Sequence, residues 1–321
     1  MIAADWIFWL CGAFFLVVGI QIAFDSTHRR RWTNAAFWSL LGLSLFYGSF
    51  IPRLPAWLLG VAVIAMALLG GLGFTNRGDV ETTTDREREA SAARLRNRLF
   101  VPALTIPAVT AFVSVVFGHL KIDERPLFAQ GAATLVALGA GTVSALFVAW
   151  ALLRPKNPGV ALTEGRRLLE AVGWAALLPQ MLATLGLLFT QAGVGTQVGS
   201  IAHTLVPHDS RLLAVIVYAV GMALFTVIMG NAFAAFPIMT AAVGWPILVQ
   251  QFGAHPAPLF AIGMLSGFCG TLCTPMAANF NLVPPALLEM RDKYGQIKVQ
   301  IPTALALLVV NIGFMMVFPF A

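Results

Sequence analysis

The sequence predicts an all-α, polytopic membrane protein with about 8 spanning helices, a re-entrant helical hairpin and a broken helix. Three observations predict it. Of 321 residues, 59% are hydrophobic and only 11% are charged, against about 25% charged in a soluble domain. Apolar runs long enough to cross a bilayer recur along the whole chain. Two polar stretches interrupted by Gly and Pro, Met229–Pro237 and Thr271–Pro285, lie inside the most hydrophobic third.

Taken in order, the predicted spans are 6–23, 35–51, 56–74, 99–119, 128–153 and 171–190. The first 23 residues contain no Lys or Arg, so the opening run reads as a spanning helix and not as a cleavable signal. Residues 79–98 form the most polar stretch, and Asp85 to Arg98 have the composition of a solvated helix or a docking surface. A glycine-spaced segment, Gln191–Gly199, follows the sixth span. The two interrupted elements, 211–250 and 257–288, come next, and a last span covers 300–318. Three regions result: membrane helices over 1–153 with a cytoplasmic loop at 75–98, a cytoplasmic linker at 154–170, and a transport-type unit over 171–321. The first region is expected to serve as scaffold or oligomerisation surface.

Charge orients this layout. Sixteen of the twenty Lys and Arg fall in loops 24–34, 75–98, 154–170 and 291–298; the other four are Arg53, Lys121, Arg125 and Arg211. The positive-inside bias then places the first group in the cytoplasm and both termini outside. The same bias accounts for the net charge of +6, so no nucleic-acid partner is expected. Residues 211–250 either cross twice, giving 10 crossings in all, or form a re-entrant hairpin tipped by Asn231. The hairpin is preferred, because a cytoplasmic turn at 230–232 would be longer and charged.

Irregular backbone at membrane depth must line a cavity or be buried in protein, because lipid cannot satisfy freed N–H and C=O groups. Interrupted membrane helices therefore point to a transporter's binding site. At the first break Gly230 permits a sharp turn, and Asn231 offers a donor and an acceptor. A half-helix starting near Ala232 would present positive N–H ends to an anion, and the preceding carbonyl ends would suit a cation. Asn231 could instead satisfy only its own neighbours, and the Thr226 hydroxyl could bond only its own helix. The second break concentrates Thr271, Thr274, Asn279 and Asn281 between Pro275 and Pro284-Pro285. Four uncharged polar side chains in an apolar segment are expensive unless used. The substrate-binding candidates are thus Asn231, Thr271, Thr274, Asn279 and Asn281; the ion-binding candidates are Thr226, Gly230, Asn231 and Thr274. Glycines 263, 267 and 270 read as helix-packing positions.

Other chemistry is thinly represented. The three cysteines, Cys11, Cys269 and Cys273, have no metal-ligand spacing. His119, His203, His208 and His255 fall at predicted outer ends. There is no HExxH, no nucleophile elbow with a partner His, and no P-loop. The expectation is a protein that is not an enzyme and carries no cofactor, with Na+ as a candidate coupling ion.

At these two elements the chain resembles the ion-transporter superfamily, whose members carry a re-entrant hairpin with a Ser-Asn-Thr-like tip and then a broken helix rich in Thr, Pro and Asn. Gly230-Asn231-Ala232 matches that tip only at Asn231, whereas Thr274-Pro275 and Asn279 to Asn281 fit the broken helix better. Such transporters contain two inverted repeats; residues 171–318 supply one. The whole chain also resembles a bacterial family known as domain of unknown function 979, through stretches such as Leu178–Gly186 and Gly230–Pro237. That resemblance implies a bacterial cytoplasmic-membrane location and a second, smaller membrane subunit. It also implies a two-component permease with 5-oxoproline as candidate substrate. The expectation is secondary transport of a small organic anion by a hetero-oligomer that is itself able to dimerise. The alternative is an accessory or scaffold subunit.

Overall fold

In a computed structural model of the chain, every residue is described except 1–2, 51–54, 79–82, 119, 123–124, 130, 156, 158, 208 and 321. The expectations for Arg53, for 79–81, and for His119 and His208 lie outside the described residues. The chain is helical almost throughout and divides into two compact units, Met1–Glu170 and Ala171–Ala321. Among the described residues, six helical runs are long and apolar enough to cross a membrane. A two-residue ladder, β1 (Lys121–Ile122) against β2 (Arg125–Pro126), joins two of them.

The first unit holds α1 (Asp5–Phe24), α2 (Arg31–Phe50), α3 (Trp57–Gly71), α4 (Asp85–Leu95), α5 (Phe100–Phe112), α6 (Ala133–Leu153) and nearly all of α7 (Val160–Val172). α1 packs on α2, and α5 on α6. The α1–α2 crossing is close because both helices place glycine in it. A Cβ on Gly12 would lie 3.0 Å from Gly42 O, and one on Gly42 would lie 2.8 Å from Gly12 O. Without a hydrophobic drive between helices in lipid, such close backbone contact supplies the dispersion that holds them together. α4 is a polar helix begun by a capping box: Thr84 accepts the Glu87 N–H, and the Glu87 carboxylate accepts the Thr84 N–H at 2.8 Å.

The segment expected as a linker is instead a folded part of this unit. α7 turns Arg166 and Glu170 inward, and both are buried. Arg166 donates to Asp25 at 2.5 Å and to Glu170 at 2.9 Å. The other Glu170 oxygen accepts the Gly78 N–H at 2.7 Å. His28 is buried beside them, with Nε2 3.9 Å from Glu170 and 2.9 Å from Asn34 Nδ2; Asn34 also donates to Asn76 O at 2.6 Å. This polar brace ties the end of α1, the start of α2, the segment after α3 and α7. Hydrogen bonds from Thr27 and Arg166 hold the Asp25 carboxyl down at about 2.

The second unit holds α8 (Leu178–Gln191), α9 (Val194–Leu205), α10 (Arg211–Met229), α11 (Ala232–Met239), α12 (Pro256–Leu272), the short α13 (Ala278–Asn281) and α14 (Val283–Leu287), and α15 (Gly295–Val317). α11 runs on as a π-helical stretch, Thr240–Gln251. Pro237 and Pro246 each withhold a backbone donor inside this run. Its core is built on α10, where Tyr218 and Met222 are fully buried with Met239, Leu248, Leu259 and Met315. Gly263 makes room for Tyr218: a Cβ there would lie 2.6 Å from the phenol oxygen. Gly267 and Gly270 similarly let α12 approach α10, the packing role read from sequence. Both legs of the hairpin, Arg211–Met229 and Ala232–Gln251, are of spanning length. Within the glycine-spaced Gln191–Gly199, Gly193 turns the chain at φ 70° and α9 begins at Val194.

Candidate functional site

The first break is two residues long. α10 leaves its last carbonyls without intrahelical partners. Gly230, at φ 69°, returns its N–H to Thr226 O at 2.7 Å. Asn231 then takes extended backbone and caps α11, its side-chain oxygen accepting the Phe233 N–H at 2.9 Å. That bond uses one of the orphan donors at the α11 N-terminus. The positive φ suits glycine, and so does the space: a Cβ on Gly230 would lie 2.6 Å from the Met276 carbonyl. The two breaks therefore meet backbone to backbone.

The second break starts where α12 stops at Leu272, ahead of Pro275. Thr274 stitches it to the first: its hydroxyl donates to Val227 O, an orphan carbonyl of α10, at 2.8 Å and accepts the Met276 N–H at 3.2 Å. Asn281 closes the other side, its amide nitrogen donating to Thr271 O at 2.6 Å and to Thr274 O at 2.7 Å. Two carbonyls on one amide end dictate which end is nitrogen. The Asn281 amide oxygen is then left buried with no hydrogen-bond partner among the described residues.

Between the breaks lies a cavity of about 150 Å³, walled by Gly230, Asn231, Thr271, Asn279 and the apolar Leu182, Phe233 and Met276 among others. The expected site residues thus separate into two sets. Gly230, Asn231, Thr271 and Asn279 face the cavity. Thr274 and Asn281 are buried behind it and hold its walls. Thr226 is fully buried, does not line the cavity, and donates to Met222 O at 2.8 Å within its own helix. The Thr271 hydroxyl is likewise engaged, donating to Phe268 O at 2.6 Å. None of the lining residues is ionisable. Inspection of polar residues alone misses the apolar walls: Phe233 stands edge-on to Phe268 with centroids 5.8 Å apart, and Leu182 reaches in from α8. Asn311, buried in α15 with its amide 3.7 Å from Cys269 Sγ, is another polar group missed because a lone Asn in a span carries no motif.

A larger, more open cleft of about 570 Å³ lies between α9 and the α11 run, lined by Thr196, Gly199, Ser200, Pro237 and Pro246 among others. Its walls are small residues and hydroxyls; the Ser200 hydroxyl is turned to Gln197 O. Nothing converges in it as the two breaks converge in the smaller cavity.

Over residues 5–320 the chain matches the family model described as "Protein of unknown function (DUF979)". The chain belongs to this family. No curated protein matches it, and no solved structure does. The match spans both units, so the helix breaks sit inside a family member and not on an appended segment.

Proposed function

We propose that this chain is one subunit of a secondary transporter for a small organic anion, working with a second, smaller membrane subunit. The observation that carries the proposal is the meeting of two uncharged helix breaks over a small cavity in the most apolar part of the chain. Polar, irregular backbone there is costly and is retained where it lines a solute path. The α11 N-terminus faces the break with its positive end, so a carboxylate needs no arginine in the site. The carbonyl ends of α10 and α12 offer oxygens at the breaks to a coupling cation, for which Na+ is the candidate; the Asn281 oxygen, which has no hydrogen-bond partner among the described residues, lies buried behind them. At about 30 Å³ per water the cavity of about 150 Å³ has room for about five water-sized groups, enough for the carboxylate end of a small organic anion, and 5-oxoproline is the candidate drawn from the family resemblance. The ion-transporter likeness adds a reason for two subunits: this chain carries one hairpin and one broken helix, and the partner supplies the second set. Transport then moves this pair of breaks, as one body, past the remaining spans.

Proteoliposomes test this. Uptake of labelled 5-oxoproline driven by an inward Na+ gradient is expected with both subunits and not with either alone. Full activity from this chain alone would remove the two-component part of the proposal. The second reading, a scaffold subunit, is favoured by the engagement of Thr274 and Asn281 in structural bonds. It predicts uptake unchanged by Asn279→Ala.

A further inference from the structure

Five arginines fall between Arg86 and Arg98. An open cup of about 530 Å³ is lined by the six consecutive residues Ala93 to Arg98, three of them arginines. On one continuous α-helix Arg94 and Arg98 would share a face and Arg96 would point away. The chain is not continuous there. α4 ends at Leu95, Arg96–Leu99 winds as a 3-10 turn, and Arg96 takes φ 45°. A positive φ at a non-glycine residue is uncommon, and here it turns the chain at the end of α4. The turn brings Arg96 to the same cup as its two neighbours. No carboxylate lines the cup, and none of the three arginines has an ion-pair partner among the described residues.

The next stretch of the chain identifies the ligand. Exposed Leu99 and Phe100 begin an apolar helical run to Phe117 that is long enough to cross a membrane. The cup therefore stands at the polar end of a helical run of spanning length and composition, the end that meets headgroups when such a run crosses a bilayer. We infer that Arg94, Arg96 and Arg98 bind the headgroup phosphate of an anionic phospholipid. Guanidinium forks match phosphate oxygens in pairs, and basic clusters beside a spanning helix attract anionic lipid. The exposed Val101 and Leu104 offer the acyl chains an apolar surface one turn further on.

Native mass spectrometry of the full chain in neutral detergent tests the site, with phosphatidylglycerol titrated against phosphatidylcholine. The wild type is expected to retain phosphatidylglycerol in preference. At about fivefold per arginine near a membrane surface, Arg94→Gln/Arg96→Gln/Arg98→Gln is expected to weaken retention about a hundredfold. Arg96→Gly keeps the positive φ while removing one guanidinium, so it should lose about fivefold with unchanged thermal unfolding. Arg29→Gln/Arg31→Gln removes basic charge close to the spanning α1 at residues that do not line the cup, so it should lose far less than the triple variant. Retention unchanged in both the triple and the Arg96→Gly variants would overturn the inference, as would an equal loss in the Arg29/Arg31 variant. Equal displacement by soluble glycerol 3-phosphate would also overturn it, since that would make the cup a site for a free phosphate ester.

Discussion

Gly230 answers two demands at once: a backbone turn at φ 69° and close contact with the Met276 carbonyl. Gly230→Ala meets both penalties, about 1–2 kcal/mol for left-handed backbone and a further 1–3 kcal/mol for overpacking. A markedly lower apparent Tm is expected. Gly230→Asn tolerates the turn but keeps the Cβ, so it should be rescued little; full rescue would mean that the contact with Met276 is soft. Thr274→Val keeps the shape but strips the donor from the buried Val227 carbonyl, costing about 1–3 kcal/mol. Asn279 is exposed on the cavity wall, and Asn279→Ala should change stability by no more than about 0.5 kcal/mol. Thermal unfolding in detergent separates the two. The sequence presents Thr271, Thr274, Asn279 and Asn281 as four equivalent polar groups. What distinguishes them is which carbonyl each reaches, and that depends on α10, 47 residues away from Thr274.

At the scale of elements, some helices set by long apolar runs were legible to within about five residues, whereas the span expected at 171–190 is divided between the end of α7, a 3-10 turn at Gly173–Leu177 and α8. The spans expected at 6–23 and 300–318 appear as Asp5–Phe24 and Gly295–Val317. The segment 154–170 was not legible. Arg166 and Glu170 stand four residues apart, a spacing as common on solvated helices as on buried ones. Their burial depends on Asp25, 141 residues earlier in the chain. Breaking that brace has a calculable consequence. Arg166→Met leaves the buried Glu170 carboxylate without its cation and should destabilise by about 3–5 kcal/mol, read as a fall in apparent Tm. The brace also predicts a pH dependence. Folding lowers the Asp25 pKa from 3.8 to about 2. Its contribution is therefore complete above about pH 4 and is lost as pH falls through the folded value. Asp25→Asn should flatten the decline in stability between about pH 4 and pH 2; an unchanged acid limb would mean that Asp25 takes no part.

For the molecule as a whole, composition and hydropathy settle the membrane character, because burying 59% hydrophobic residues in a lipid solvent leaves few alternatives to spanning helices. The meeting of the two breaks was foreseeable only in part. Each break is visible as Gly, Pro and Asn in an apolar run, but their contact depends on α12 packing closely on α10 through Gly267 and Gly270. The central claim is that this meeting point is a solute site. Its most direct measurement is the thermal stability of the chain purified with the smaller subunit proposed above, with 5-oxoproline added in the presence and absence of Na+. A ligand bound to the folded state raises apparent stability by mass action. The account predicts a Na+-dependent rise in Tm that Asn231→Ala and Asn279→Ala abolish. No rise with 5-oxoproline or any other small carboxylate would contradict it and leave the scaffold reading in its place.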